Sequence, residues 1–153
     1  MPSAEAEIQA LLTDSLAALH ARDVARHLAQ YAPDVRVFDV VDPLQHVGLA
    51  ALRARVEAWF LGFAGPIECQ LQSLTVEVEG DIAFCHSLNH IQATAVTGVK
   101  VDMWVRSTVG LRRRAGRWLI VHEHTSTPFN PNTGQASLGL TPEADDRATP
   151  PAC

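Results

Sequence analysis

The stretch from Gly116 to Phe129, GRWLIVHEHTSTPF, concentrates residues whose side chains could do chemistry. Its alternation is typical of a β-strand, in which successive side chains point to opposite faces. One face would carry Trp118, Ile120, His122, His124 and Ser126, and the other Leu119, Val121, Glu123 and Thr125. Imidazole and carboxylate groups in the centre of a strand need hydrogen-bond partners or water. We therefore predict that this strand lines a pocket.

His122 and His124 are two positions apart, so both imidazoles would point the same way and could chelate one metal ion. His86 and His90 would likewise share one face of a neighbouring strand. No cysteine or carboxylate completes an evident tetrahedral set, so we expect neither a metal ion nor another cofactor. We favour the interpretation that these histidines line a polar pocket or are buried with hydrogen-bond partners. The alternative is that they lie on an outer face that meets another subunit.

Arg106 stands in the middle of another predicted strand, VDMWVRST. If buried, it must form a salt bridge or grip an anionic or carbonyl substrate. A three-residue hairpin loop would pair Arg106 with His124. The two-residue loop Ala115–Gly116 would pair it with Thr125 instead, on the same face as Glu123. The sequence leaves both registers open.

The chain has 153 residues, of which 47% are hydrophobic, and this fits one globular domain with a single core. Its formal net charge of -5 argues against a nucleic-acid partner, because phosphate backbones require a basic surface. Three cysteines without ligand-like spacing predict neither disulfides nor a zinc site, so we expect a reducing, cytoplasmic compartment. We also expect no signal peptide and no membrane span, which would need ~20 apolar residues.

Periodicity predicts the order helix, helix, strand, helix and four antiparallel strands. The helices are expected from Ser3 to Arg22, from Asp23 through Tyr31, and from Leu49 to Phe63, and Pro33 is expected to stop the second of them. The strands are expected over residues 35–41, 67–79, 82–94, 99–113 and 117–127. Helices against one face of a curved sheet form an α+β cone that encloses a cavity. The domain is expected over residues 1–130, and residues 131–153 as a tail that packs loosely or on a partner.

Four stretches resemble the nuclear transport factor 2-like (NTF2-like) superfamily, in particular its SnoaL-like, ketosteroid-isomerase-like bacterial branch. They are YAPDVRVFD with Gly48 before the next helix, GDIAFCHSLNHI, VDMWVRST and GRWLIVHEHTSTPF. The resemblance covers roughly residues 4 to 130 and implies the cone fold. The superfamily includes isomerases, cyclases, dehydratases, epoxide hydrolases and non-catalytic assembly domains. The last strand is also similar to that of the association domain of a calmodulin-dependent kinase.

The resemblance places Asp39, at the end of YAPDVRVFD, on the position of the general base of ketosteroid isomerases. Those enzymes also use a tyrosine on the first helix and a protonated acid on a late strand to stabilise the enolate oxygen. Here these positions fall at about Ser15 and Thr108, so the usual oxyanion pair is missing. Asp39 would act as a base if it faces a closed cavity, whereas a pair with Arg36 or the capping of a turn would make it structural.

We therefore predict a small-molecule-binding protein that acts as a cofactor-free isomerase, cyclase or dehydratase on a small apolar carbonyl compound. Asp39 would be the base, with Arg106 or His124 stabilising the oxyanion. The predicted pocket wall comprises Trp59, His86, His90, Trp104, Thr108, His122 and Glu123. The alternative is a non-catalytic ligand-binding or assembly module. A homodimer through the outer sheet face is expected, because both faces of the last strands carry apolar residues.

Overall fold

A computed structural model describes residues 1–142, so residues 143–153 of the predicted tail lie outside the described part. Within that range the helices are α1 (Ala4–Ala21), α2 (Val24–Leu28) and α3 (Leu49–Leu61). The strands are β1 (Tyr31–Phe38), β2 (His46–Val47), β3 (Glu68–Glu79), β4 (Ile82–Thr94), β5 (Lys100–Arg114) and β6 (Arg117–Ser126). The predicted α+β class is confirmed, with the helices packed on an open, mostly antiparallel six-stranded sheet.

The first helix begins where its cap predicts. Ser3 Oγ accepts a hydrogen bond from the Ala6 amide at 3.2 Å, and Arg22 ends the helix in the left-handed conformation. Its buried stripe consists of Ile8, Leu12, Ala18 and Leu19. No helix within residues 1–142 combines the length and the apolar character that crossing a membrane would require.

The second helix and the strand after it differ from the prediction. α2 stops early and Tyr31 opens β1, so Pro33 lies inside a strand instead of ending a helix. Pro33 fits there because the pairing of β1 with β6 is irregular between Tyr31 and Arg36. β1 ends at Phe38, so Asp39 begins the loop that leads to β2.

The strands follow the order β2-β1-β6-β5-β4-β3 in one sheet. β3 to β6 are antiparallel neighbours in chain order, as their short turns predict. β1 instead runs parallel to β6, which the sequence did not indicate. This pairing makes Val37 and Glu123 register partners and brings the end of β1 beside the centre of the last strand.

The β5–β6 hairpin has the two-residue turn Ala115–Gly116, whose φ values of 50° and 77° are typical of a type I′ turn. Arginines at its tip are tied to other elements. Arg114 donates to both carboxylate oxygens of Asp34 at 2.6 and 3.1 Å, and Arg113 donates to Glu7 at 3.1 Å. These contacts fasten the hairpin to β1 and to α1.

A β-bulge interrupts the strict alternation predicted for the last strand. Gly110 pairs with His122, but the next residue, Leu111, pairs with Ile120. Val121 is therefore an extra residue in β6, and the side chains after it change faces.

Trp118 and Ile120, before the bulge, are buried under the helices. After the bulge, Glu123 and Thr125 take the inner face, and His122 and His124 turn to the outer face. The two histidines therefore do not share a face with Trp118 and Ile120, contrary to the alternation in the sequence.

Candidate active site

A cavity of about 540 Å³ lies between the helices and the inner face of the sheet. Its walls are mainly apolar, which is typical of sites for small organic molecules. They include Leu12, Leu16, Leu52, Val56, Leu71, Ile91, Met103 and Val105, together with Ala136 and Leu138 from the described part of the predicted tail. The polar residues that line the cavity are three pairs, Asp39 with Arg55, Tyr31 with Glu123 and His27 with Ser15, and a row of hydroxyl-bearing residues on the sheet.

Asp39 lines this cavity and forms an ion pair with Arg55 of α3. Arg55 Nε donates to Asp39 Oδ2 at 2.6 Å, and the Val40 amide donates to Oδ1 at 2.7 Å. The side chains of Arg55 and Asp39 are 20% and 16% exposed, so the pair is largely shielded from water. The guanidinium of Arg55 also lies 5.7 Å from the ring centre of Trp59. The partner of Asp39 is therefore Arg55 and not Arg36.

Tyr31 and Glu123 form the second polar pair. The Tyr31 hydroxyl donates to Glu123 Oε2 at 2.5 Å. Burial raises the pKa of Glu123, against the opposing effect of the Tyr31 hydrogen bond, and the charge of Asp39 raises it further. Burial also raises the pKa of Tyr31 well above its ordinary value. A raised pKa widens the pH range over which this carboxyl group is protonated and can donate a hydrogen bond into the cavity.

His27 of α2 is buried against the same cavity, with 8% of its surface exposed. Its Nδ1 lies 3.3 Å from Ser15 Oγ, and its ring centre lies 5.4 Å from that of Tyr31 and 6.1 Å from that of Phe60. Burial lowers the pKa of His27 to about 4, so the imidazole is neutral near pH 7. It can offer one donor or one acceptor to a ligand.

Of the residues predicted for the site, the structure brings Asp39, Trp59 and Glu123 together at the cavity. The others lie on the outer face of the sheet: Arg106, Trp104, Thr108, His86, His90, His122 and His124. The pleat of the sheet explains this division. The odd-numbered residues of β4 and β5 occupy the inner face, and after the bulge the odd-numbered residues of β6 do so as well. His124 and Phe38 border a surface groove on the outer side, and Asp39, Val40 and Val41 line both this groove and the cavity.

Arg106 matches neither of the two registers considered from the sequence. The hairpin has the two-residue turn Ala115–Gly116, and the bulge at Val121 then shifts the pairing by one residue. Arg106 consequently lies opposite Ser126 and donates to its Oγ at 3.1 Å on the exposed face. It does not reach the cavity and cannot stabilise charge on a ligand there.

The outer-face histidines have partners of their own. His90 Nε2 lies 2.7 Å from Asp102 Oδ1, and its ring stacks on Trp104 with centres 4.6 Å apart. His122 Nδ1 lies 2.7 Å from the carbonyl oxygen of Arg36. Across residues 1–142, no three His, Cys, Asp or Glu side chains are grouped as metal ligands.

Sequence reasoning did not place Tyr31, Arg55 or His27 at the site. Arg55 had a usable signal, because it lies four residues before Trp59 on one helix and such residues share a face. Tyr31 would have been found if YAPDVRVFD had been interpreted as one strand. His27 had no comparable signal, since its burial depends on how α2 packs against Phe60 and Tyr31.

The sequence profile of the SnoaL-like domain matches residues 8–130. The chain therefore belongs to the SnoaL-like family of the NTF2-like superfamily, which confirms the resemblance seen in the sequence motifs. No curated protein matches the chain.

Solved structures agree with this assignment. An NTF2-like protein of unknown function from Pseudomonas putida KT2440 is 35% identical with a TM-score of 0.83, over 92% of this chain and 99% of that one. A ketosteroid isomerase-like protein from Erwinia carotovora atroseptica is 24% identical, with a TM-score of 0.69 over 79% and 93% of the two chains. A provisionally named dehydratase of the NTF2-like family from Streptomyces avermitilis is 17% identical, with a TM-score of 0.70 over 78% and 93%. The last two likenesses establish the fold alone.

Proposed function

We propose that this protein is a cofactor-free acid–base enzyme that binds a small, largely apolar carbonyl compound in its cavity. One observation carries the proposal: two carboxyl groups line one apolar cavity with different partners, Asp39 with Arg55 and Glu123 with Tyr31. Carboxyl groups in contrasting environments typically take the roles of base and acid. Two structural neighbours carry names from this class of reaction, the ketosteroid isomerase-like protein and the provisionally named dehydratase.

In the proposed reaction, Asp39 takes a proton from the carbon next to the substrate carbonyl. The electron pair of the broken C–H bond moves toward the carbonyl oxygen and gives an enolate. Arg55 holds the carboxylate of Asp39 in place, and protonated Glu123 donates a hydrogen bond to the enolate oxygen. If the substrate carries a double bond in the β,γ position, the enolate is conjugated with it; return of the proton to the γ-carbon then moves the double bond next to the carbonyl and completes an isomerisation. Glu123 thus takes the role that the sequence had given to Arg106 or His124.

Proton exchange with solvent tests this proposal without knowledge of the natural substrate. β-Tetralone, an apolar bicyclic ketone, is incubated with the protein in D2O, and deuterium incorporation next to its carbonyl is followed by NMR. Wild-type protein should accelerate this exchange over buffer. Asp39→Asn should slow it by ~10² or more because the base is lost. Glu123→Gln should slow it by roughly tenfold, because the amide still donates a hydrogen bond.

Glu57→Gln is the matched control, because Glu57 is an exposed carboxylate of α3 that pairs with Arg53 and lies outside the cavity. It should exchange like wild-type protein. Asp39→Asn also leaves the shielded Arg55 without its partner, so its melting temperature should fall and rates are compared where both proteins are folded. The acid–base proposal would be refuted if Asp39→Asn exchanged deuterium as fast as the wild-type protein, or if the wild-type protein did not accelerate exchange over buffer.

We also propose that the outer sheet face forms a homodimer, which would serve a non-catalytic assembly role as well. Phe84 and Ile82 of β4 are 49% and 51% exposed on this face. Ile82 lies between its register partners Glu79 on β3 and Arg112 on β5. A two-fold axis through this face can set β3 of one subunit, with Glu79, against β5 of the other, with Arg112.

A further inference from the structure

A row of hydroxyl groups crosses the sheet side of the cavity. Ser87 of β4 is the register partner of Ser107 on β5, and Ser107 is the partner of Thr125 on β6. All three residues line the cavity. Neighbouring strands are ~4.8 Å apart, so the row is about 10 Å long. On β5, Val105 and Val109 stand on the same face on either side of Ser107, so the row interrupts an otherwise apolar surface.

Two of these hydroxyls have no protein partner. Ser87 Oγ donates to Asn89 Oδ1 at 2.7 Å. Neither Ser107 nor Thr125 makes a side-chain hydrogen bond with another of residues 1–142, although Ser107 is 5% exposed. Neither oxygen is among the fully buried side-chain atoms that lack a partner, which within residues 1–142 are His46 Nε2 and Arg113 Nε, so both hydroxyls are open to the cavity. The two hydroxyls are therefore available to a molecule in the cavity.

The charged groups around the cavity disfavour an anion. Arg55 is the sole arginine or lysine among the described lining residues, and Asp39 already binds it. His27 is neutral near pH 7, because its pKa is about 4. A carboxylate or phosphate would meet Asp39 without a free counter-ion, which opposes its binding.

We propose that Ser107 and Thr125 determine ligand specificity by selecting an uncharged molecule with a hydroxyl or carbonyl group on the edge that faces the sheet. The apolar remainder of the ligand lies against the helices. The inference rests on the proposed function for the identity of the binding cavity, and it holds whether or not Asp39 abstracts a proton.

Calorimetric titration with four matched probes tests this selection: tetralin, β-tetralone, a hydroxy-β-tetralone and the corresponding carboxy-β-tetralone. Wild-type protein should bind the hydroxylated ketone about 3- to 10-fold more tightly than β-tetralone, the gain expected from one neutral hydrogen bond. Tetralin and the carboxylate should bind more weakly than either. In the double variant Ser107→Ala/Thr125→Val, the preference for the hydroxylated probe should disappear.

Thr108→Val is the matched control, because Thr108 adjoins Ser107 on β5 but is exposed on the outer face. It should keep the full preference. A double variant that retains the preference, tighter binding of the carboxylate, or no binding of the hydroxylated probe would overturn the inference. Thermal melting confirms that each variant is folded, and Ser107→Ala alone replaces the double variant if that one is unfolded. Loss of deuterium exchange in Asp39→Asn with the binding preference intact separates this inference from the acid–base proposal.

Discussion

His27 shows at the residue scale how burial couples folding to pH. Burial lowers its pKa from 6.5 to about 4, so the unfolded chain takes up a proton at higher pH than the folded protein does. The stability associated with neutral His27 is complete above pH 6.5 and is lost as the pH falls toward 4. At ~1.4 kcal/mol per pKa unit, the loss amounts to about 3 kcal/mol.

His27→Gln should therefore flatten the fall in unfolding free energy between pH 6.5 and 4, since glutamine stays neutral throughout. It should also lower stability at pH 7, because the ring contacts with Tyr31 and Phe60 are lost. Urea unfolding at a series of pH values measures both effects. His86→Gln, at an exposed position on the outer face, should keep the wild-type pH profile. If the unfolding free energy of His27→Gln falls between pH 6.5 and 4 as steeply as that of the wild-type protein, buried His27 is not the cause of this pH dependence.

Asp39 combines an ion pair with a position on the cavity wall. The sequence posed a choice between a catalytic base and a salt-bridged strand end. The structure pairs Asp39 with Arg55 and places the same carboxylate on the cavity wall. A fixed carboxylate is a better positioned base than a mobile one, so the ion pair supports the proposed chemistry.

At the scale of elements, β6 determines which side chains line the cavity. Its bulge at Val121 turns Glu123 and Thr125 inward and the two neighbouring histidines outward. The hairpin turn fixes how β5 and β6 pair next to the turn, and the bulge then shifts this pairing by one residue. Both residues of a type I′ turn require positive φ, which suits glycine and strains alanine.

Single substitutions in this turn should have opposite effects. Ala115→Gly should stabilise the protein and Gly116→Ala should destabilise it, each by about 1 kcal/mol, because φ is 50° at Ala115 and 77° at Gly116. Chemical denaturation measures both changes. Gly65→Ala is the control, since a Cβ there meets nothing within 4 Å and the backbone needs no positive φ. Effects of the same sign at both turn positions would rule out this turn type.

At the scale of the whole molecule, the sheet has two faces of different character. Its inner face carries the cavity, and its outer face presents Phe84 and Ile82 among histidines and paired charges. Exposed apolar side chains on a broad, nearly regular surface are typical of subunit interfaces. The proposed homodimer uses this face and leaves the cavity free.

Phe84→Arg should convert the dimer to a monomer at micromolar concentration, because a two-fold interface would bring two added charges close together. Analytical ultracentrifugation measures the change. Leu61→Arg, at a leucine of α3 that is 80% exposed away from the sheet, is the matched control and should remain dimeric. A wild-type protein that sediments as a monomer would refute the proposal.

Much of the fold follows from local patterns in the sequence. Ser3 and Asp23 cap helices because their side chains accept backbone amide hydrogen bonds within the same segment. The Gly80 turn joins two strands whose predicted limits differ from the observed ones by one residue at most. Asp39 and Trp59 were placed at the cavity from the family position and from the helix that carries them. In each case the information lies within a few residues of the feature.

The remaining features depend on contacts between distant segments. The parallel pairing of β1 with β6, the bulge at Val121 and the burial of His27 each arise from neighbours far along the chain. Period-two alternation predicts that adjacent residues face opposite ways, but it does not say which set faces the helices. Because β6 contains one extra residue, Glu123 and Thr125 face the cavity, and the two neighbouring histidines face outward. The residue types in the sequence determined what chemistry the protein could offer, and the tertiary packing decided which of those residues meet in one cavity.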